Sequence, residues 1–481
     1  MITSLYQSLC NMETNIADRV ALRWYDEEKQ GVAEVHYAQY AQDLRRFVAF
    51  LRAEYGDVRG KRVAILARNS YQYVICMYGT VIAGAVAVPL NLGKDWDAIS
   101  YELGLTEPVC ILQDGEFAER EPALAETYGS ILKPMDVFAA YEPAEDVTEV
   151  EDLSALAFIM FTSGTTGRSK GVMLSQKNLF SAMPAFLDPF DDVKKYTGWN
   201  TDEFSSLSAL PMFHISAMTS LVSWSITGHS INLCNNLKYF YRDLGAMHSE
   251  VMAVVPVLLK SIYSDVMKGR RDRLNGLCVL TCGAAMFDPK ILSDMMEKGF
   301  FVAQMYGLTE TCGDGIINYE QDEKHIRAVG KPDDHVQYKL DETGEICIKG
   351  DCVMLGYYKD PEATAEVIDA DGWFHTGDLA RVDEDGYYFL TGRKKNVIIL
   401  GSGENVSPEE LEKKLALCPA VIECIVKEKG QKICAVIYCP EDKQEEVRAF
   451  VTEVNRSLPR SLSTQSRSST RIVPALTAIK R

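Results

Sequence analysis

This 481-residue chain predicts an α/β protein: a large N-terminal domain of several subdomains with doubly wound sheets, followed by a small, mobile α+β domain. Two observations carry that prediction. Short apolar runs recur between longer helix-like stretches: RVAILA (62–67), ALAFIMF (155–161), VMAVVPV (251–257), LCVLTC (277–282) and FVAQMY (301–306). Strands alternating with helical patterns are the signature of a mostly parallel sheet. Toward the C-terminal end the texture changes, and GEICIKG, GWFHTGDLARVDEDGYYFLTGR and VIILGSG read as short strands broken by Gly and Asp-Gly turns, that is, hairpins. The predicted division is 1–392 and 393–481, a length suited to one large and one small domain.

The most apolar stretch, VICMYGTVIAGAVAVPL (74–90), carries no charge but is short for a membrane span and is interrupted by Gly79, Gly84 and Pro89. It reads as helix, glycine turn and strand, so no transmembrane segment is expected. Near residue 407, SPEELEKKL offers a serine cap, a proline at the first helical position and a run of helix formers, a well-marked helix start. A net charge of -18 argues against a nucleic-acid or anionic-membrane partner. Thirteen cysteines without CxxC pairs, and no recognisable leader, read as reduced thiols in a cytoplasmic protein.

The stretch FTSGTTGRSKGVMLS (161–175) carries chemistry. It follows an apolar strand and precedes a more polar segment read as a helix start, an arrangement suited to holding phosphate. Gly164 and Gly167 let backbone N–H groups approach an anion, Thr162, Ser163, Thr165 and Thr166 supply hydroxyls, and Lys170 supplies charge. The familiar phosphate loop needs glycine before its lysine and Ser or Thr after it. Here Ser169 precedes and Gly171 follows, so that pattern fails. On composition alone an exposed, turn-rich connection stays open.

TSGTTGRSKGV closely resembles the signature of the adenylate-forming superfamily, which includes acyl-CoA synthetases, luciferases and peptide-synthetase adenylation domains. LPMFHIS (210–216), CGAAM (282–286), MYGLTET (305–311), WFHTGDLARVDEDGYYFLTGRKKNVI (373–398) and GENVSPEELE (403–412) resemble the other family segments, in family order. The resemblance implies roles. Gly283, Ala284 and Ala285 line the adenine. Tyr306, followed by Gly307, packs on it; Thr309 contacts the α-phosphate and Glu310 holds Mg²⁺. Asp378 accepts from the ribose hydroxyls, Arg393 reaches the nucleotide, and Lys395 is the hinge about which the small domain swings. Gly401, Ser402 and Gly403 belong to the loop that serves the thiol step. Standing alone, Glu310 reads as a solvated acid and Asp378 as a turn cap.

His214 lies in the segment that, in the family's acyl-CoA ligases, borders the acyl channel. MFHISAM has no acid to pair with an amino group, so a non-amino carboxylic acid is the expected substrate, with fatty acids as one class. VVPVLL (254–259) reads either as pocket lining or as core. The implied reaction uses ATP and Mg²⁺ to form an acyl-adenylate and then transfers the acyl group to CoA. A carrier-protein phosphopantetheine is the alternative thiol, and a nucleotide-binding pseudoenzyme the alternative class. In the family a lysine near the C-terminus, in a Gly-Lys-Ile-x-Arg setting, serves adenylation. Two alignments of VPALTAIKR stand here, one making Lys480 that lysine and one putting Ala478 in its place. The preceding RSLSTQSRSSTR (460–471) has no acids and lacks the apolar periodicity of a folded domain.

Overall fold

The computed structural model describes residues 2–162, 168–202, 204–283, 287–320, 322–399, 405–428, 433–457 and 471–474. It divides into two compact units, Met1–Gln337 with Lys349–Phe374, and Tyr338–Ile348 with His375–Arg481. The second unit takes in the 393–481 segment and also the four-stranded sheet that precedes it.

The first unit holds two large sheets. A seven-stranded one runs in the order Gly356–Tyr357, Lys170–Ser175, Leu156–Thr162, Val86–Pro89, Arg62–Leu66, Cys110–Gln113, Leu132–Pro134. Its five last strands are parallel to one another, and Lys170–Ser175 is antiparallel to Leu156–Thr162. Helices cover such a sheet on both faces, so its strands are apolar throughout. Val63, Ala64, Ile65 and Leu66 accordingly have no exposed surface, nor do Val86, Ala87 and Val88.

The second sheet has eight strands in the order Gly315–Asn318, Phe301–Gly307, Val279–Cys282, Val251–Val254, Ser205–Ser208, Ser230–Leu233, Val20–Asp26, Gly31–His36. Only its two edge pairs are antiparallel. The apolar runs read from the sequence therefore fall on strands of a doubly wound α/β fold. The 74–90 stretch is the helix Tyr71–Ile82, capped by Ser70, then a turn at Gly84 (φ 83°) and the strand Val86–Pro89. No described helix is long and apolar enough to cross a membrane. The buried Cys76, Cys110, Cys312, Cys347, Cys352 and Cys439 are free thiols.

One sequence reading changes and one open alternative is decided. Lys170 does not lead into a helix. It opens a strand that turns back on the preceding one, with Thr162 opposite Lys170, and the helix Gln176–Ser181 starts only after it. The run GVMLS alternates poorly because both faces are covered, which hid the strand. In VVPVLL, Pro256 opens the helix Pro256–Met267; Leu258 and Leu259 enter the core and Val257 faces solvent, so the core reading holds.

In the second unit, Gln337–Leu340, Glu345–Lys349, Phe374–Val382 and Tyr388–Arg393 form a four-stranded sheet, the last two a hairpin turning at Gly386 (φ 85°). Ser407 caps Pro408–Leu415 by accepting from the Glu410 N–H, as the sequence predicts. The strand Arg471–Pro474 pairs in parallel with Ile433–Cys439, so the end of the 460–471 segment belongs to a sheet. Residues 460–470 lie outside the described residues.

Candidate active site

The residues singled out in the first unit gather at the carboxyl ends of the parallel strands, where doubly wound folds bind ligands. In the eight-stranded sheet, Gly283 follows Val279–Cys282 and Tyr306 and Gly307 end the neighbouring strand, with Cys282 opposite Gln304. A Cβ on Gly283 would come no nearer than 3.6 Å to the Met305 carbonyl oxygen, an ordinary contact. Tyr306 is pinned by pairing with Ile316 and by the close passage of Gly315, where a Cβ would stand 1.6 Å from the Tyr306 carbonyl oxygen.

Beyond Gly307 the chain makes a tight turn at Thr309–Thr311, closed by the Thr311 hydroxyl donating to the Asp314 carbonyl at 2.6 Å. The turn presents Thr309 and Glu310. Glu310 is held twice from the other sheet: its carbonyl accepts from Met354 N–H at 2.8 Å, and its Oε1 accepts from the Tyr357 hydroxyl at 3.0 Å. Tyr357 belongs to the short edge strand beside Lys170–Ser175, and Lys170 Nζ lies 4.7 Å from the centre of its ring. One tyrosine thus ties the loop lysine to the carboxylate. Burial, and then the Glu310 charge, push the Tyr357 pKa far up, so the phenol stays a donor.

The donor set at Glu310 suits Mg²⁺. One carboxylate oxygen is engaged by Tyr357, and Oε2 has no hydrogen-bond partner among the described residues; Mg²⁺ is usually bound by one or two carboxylates completed by phosphate oxygens and water.

Lys94 is a second cation at this place. It follows Val86–Pro89, donates to Ser169 Oγ at 3.1 Å, and is ion-paired with the fully buried Glu102. His214 stands just before the helix Ile215–Thr227, its ring 4.5 Å from that of Phe213. Asn69 fixes its segment, donating to the Leu210 carbonyl at 2.8 Å and accepting from Met212 N–H at 2.9 Å. Restricted access of water, and then the Lys94 charge, hold the His214 pKa below the usual imidazole value. Beside it, a crevice between Ser205–Ser208 and that helix is lined by Ser208, Ser216, Ala217, Ser220 and Trp224, without a carboxylate.

In the second unit, Asp378 and Arg393 are cross-strand partners on the hairpin, Arg393 Nε 2.6 Å from Asp378 Oδ1. The structure joins these two in one pair, with Asp378 buried and Arg393 exposed. Lys395 is exposed in the turn Lys394–Asn396. Ser163, Gly164, Thr165, Thr166, Gly167, Ala284, Ala285, Gly401, Ser402, Gly403 and Lys480 lie outside the described residues.

Tyr357 and Lys94 were not singled out from sequence. The signal for the first was the GYYKDP run, with paired aromatics between a glycine and a helix-starting Asp-Pro; for the second it was an isolated lysine in a loop after a parallel strand.

A carboxylate, hydroxyls and lysines at the strand ends of two sheets define a nucleotide-handling α/β enzyme. Comparison with known proteins agrees. The family model described as AMP-binding enzyme matches residues 12–358. Feruloyl-CoA synthase of Amycolatopsis sp is 30% identical, covering 87% of this chain and 83% of its own. A long-chain-fatty-acid–CoA ligase of Mycobacterium tuberculosis is 29% identical, covering 88% and 83%. Among solved structures, the O-succinylbenzoate coenzyme A synthetase of Bacillus subtilis, in complex with ATP and magnesium ion, has a TM-score of 0.78 and 25% identity and covers 97% of this chain and 95% of its own. The chain belongs to the AMP-binding enzyme family, within the adenylate-forming superfamily and of its acyl-CoA synthetase type. It is an AMP-forming acid–thiol ligase, and ATP, Mg²⁺ and CoA are the partners of that reaction.

Proposed function

We propose that this ligase acts on a non-amino carboxylic acid, of the aryl or fatty class, in two steps. A carboxylate oxygen attacks the α-phosphorus of ATP, the bond to the bridging oxygen breaks, and pyrophosphate leaves. The thiol sulfur then attacks the acyl carbonyl, loses its proton to solvent, and AMP departs with the former carboxylate oxygen. Lys170 and the Thr162–Gly167 hydroxyls and amides stabilise the phosphates, Glu310 holds Mg²⁺, which offsets their charge, and Thr309 steadies the α-phosphate. Gly283, Ala284, Ala285 and Tyr306 take the adenine; Asp378 and Arg393 take the ribose. His214 borders the acyl group, and the absence of an acid in its segment is what favours a non-amino substrate. The 393–481 segment turns about Lys395 between the two steps, bringing 401–403 to the thiol, with Lys480 as the adenylation lysine.

The observation that carries this reading is the Lys170–Tyr357–Glu310 link, which ties a cation for phosphate to a carboxylate for the metal. The test is pyrophosphate release with ATP, Mg²⁺ and hydroxylamine over a panel of aryl, fatty and amino acids. Release with one non-amino class names the substrate; release with amino acids alone rejects the reading. Silence across the panel with ATP still bound supports the pseudoenzyme alternative. A second arm, with CoA or a phosphopantetheine-bearing carrier protein, identifies the thiol. Free thiols such as Cys76, Cys110 and Cys312 support a cytoplasmic setting.

A further inference from the structure

We propose that Asp341, Cys347 and His375, with Glu345 beside them, form a site for a thiophilic divalent ion such as Zn²⁺, and that filling it expels Lys394, the residue beside the proposed hinge. The binding claim stands on this unit alone; the consequence for the hinge rests on the functional reading above.

The strand Glu345–Lys349 places Glu345 and Cys347 two residues apart, hence on one face. The adjacent strand, Phe374–Val382, brings His375 against them. The ligand atoms of Asp341, Cys347 and His375 lie within 4.8 Å of one another. Cys347 Sγ is 3.5 Å from His375 Nδ1, which is 3.3 Å from Glu345 Oε2. With metal–nitrogen and metal–sulfur bonds of about 2.0 and 2.3 Å, a tetrahedral zinc site has donor–donor edges of about 3.3–3.8 Å. The Cys347–His375 separation therefore matches an edge of such a tetrahedron before any ion arrives.

Asp341 is fixed for the same purpose. Its Oδ1 accepts from Thr343 N–H at 2.8 Å and from Glu345 N–H at 2.9 Å, which locks the turn and leaves Oδ2 facing Lys394 Nζ at 3.6 Å. Lys394 Nζ also sits 2.7 Å from Glu345 Oε2. An ammonium thus sits between the two carboxylates, and an ion bound to Asp341 Oδ2 beside Glu345 must displace it. Glu345 Oε1 is separately engaged by Gly377 N–H at 2.7 Å, so the Thr376–Gly377–Asp378 turn keeps its anchor when the ion binds. Cys347 and Glu345 are buried, while Asp341 and His375 keep part of their side chains open, which gives an entry path. A thiolate with an imidazole selects zinc-like ions over Mg²⁺. Binding to the Cys347 thiol forms the metal–sulfur bond and releases one proton to solvent.

The experiment titrates the full chain, in excess Mg²⁺, with Co²⁺ and then Zn²⁺. The expected result is the visible absorption of tetrahedral Co²⁺ with its thiolate band, at one ion per chain, bleached by Zn²⁺. Cys347→Ser should abolish the thiolate band and weaken binding roughly tenfold or more; His375→Gln should weaken binding by a similar factor while the thiolate band persists at saturating Co²⁺. Lys394→Met should tighten binding, because the competing ammonium is gone; this outcome does not depend on a weakened fold. Absence of the band in the wild type, or a band unchanged in Cys347→Ser, overturns the site. Zn²⁺ should also slow thioester formation more than pyrophosphate release, and should do so less in Cys347→Ser. If Zn²⁺ binds at Cys347 but both rates are unmoved, the hinge consequence fails and the site stands. If the chain shows no ligase activity at all, the absorption still decides the site.

Discussion

The Tyr357 hydroxyl donates to Glu310 Oε1 at 3.0 Å while Lys170 lies over the face of the same ring at 4.7 Å. The contact crosses from the edge of one sheet to the strand end of the other, so a single side chain sets the spacing between Lys170 and Glu310, the proposed phosphate cation and the proposed metal carboxylate.

Tyr357→Phe keeps the ring under Lys170 and removes only the bond to Glu310. A hydrogen bond to a charged group is worth about 1.5–3 kcal/mol, so the Mg²⁺ needed for half-maximal pyrophosphate release should rise roughly tenfold or more. The ATP requirement at saturating Mg²⁺ should change little. An unchanged Mg²⁺ requirement would separate Tyr357 from the metal carboxylate.

Lys94 and Glu102 form an ion pair near the site with its carboxylate fully buried. Glu102 has no exposed surface, and its Oε2 has no hydrogen-bond partner among the described residues. Lys94→Met strands a buried carboxylate and should cost about 3–5 kcal/mol in urea unfolding. Adding Glu102→Gln to Lys94→Met should recover most of that, because the stranded charge is gone. Failure of the double variant to recover would place the effect in the Lys94–Ser169 bond instead.

Much of this was legible in the sequence because strands buried on both faces must be apolar along their whole length. RVAILA and FVAQMY announce themselves in that way, and Ser407-Pro408 marks a helix by its capping chemistry. The strand Lys170–Ser175 was not legible: a polar loop before it suggested a helix start, and the antiparallel return is set by pairing with Leu156–Thr162, a tertiary choice. Glu310 and Asp378 were recoverable through the resemblance of their segments, since an acid alone says nothing of its partner. Tyr357 and Lys94 are defined by contacts with residues far away in the chain, 47 positions for Tyr357 with Glu310 and 75 for Lys94 with Ser169, and no local pattern encodes those.

Gly315 and Gly283 should respond oppositely to alanine. At Gly315 the new Cβ would meet the Tyr306 carbonyl at 1.6 Å, so the strand pair must separate; overpacking of this kind costs about 1–3 kcal/mol, and here the upper end or beyond, because both atoms belong to fixed backbone. At Gly283 the nearest atom is 3.6 Å away, an ordinary contact, so stability should change by less than about 1 kcal/mol. If the adenine lies there, Gly283→Ala should nevertheless weaken ATP binding. A normal melting curve with normal ATP affinity would remove Gly283 from the adenine site.

The His214 pKa fixes the sign of one pH effect. Its folded value is held below the ordinary imidazole value of about 6.5 by restricted hydration and then by Lys94, so on acidification the unfolded chain takes up the proton first. The contribution is therefore fully present above about pH 6.5 and is lost as the pH falls from there toward the folded value. His229, whose pKa burial also lowers, adds an effect of the same sign. His214→Asn should make the urea midpoint less sensitive to pH between about 7 and 5, leaving the share due to His229. A Lys94→Met, Glu102→Gln background removes the second cause of the shift and should raise the His214 pKa, read by the C2-proton resonance of its ring. A midpoint whose pH slope is the same with and without His214 would show that the imidazole titrates alike in both states, and would remove Lys94 as its electrostatic neighbour.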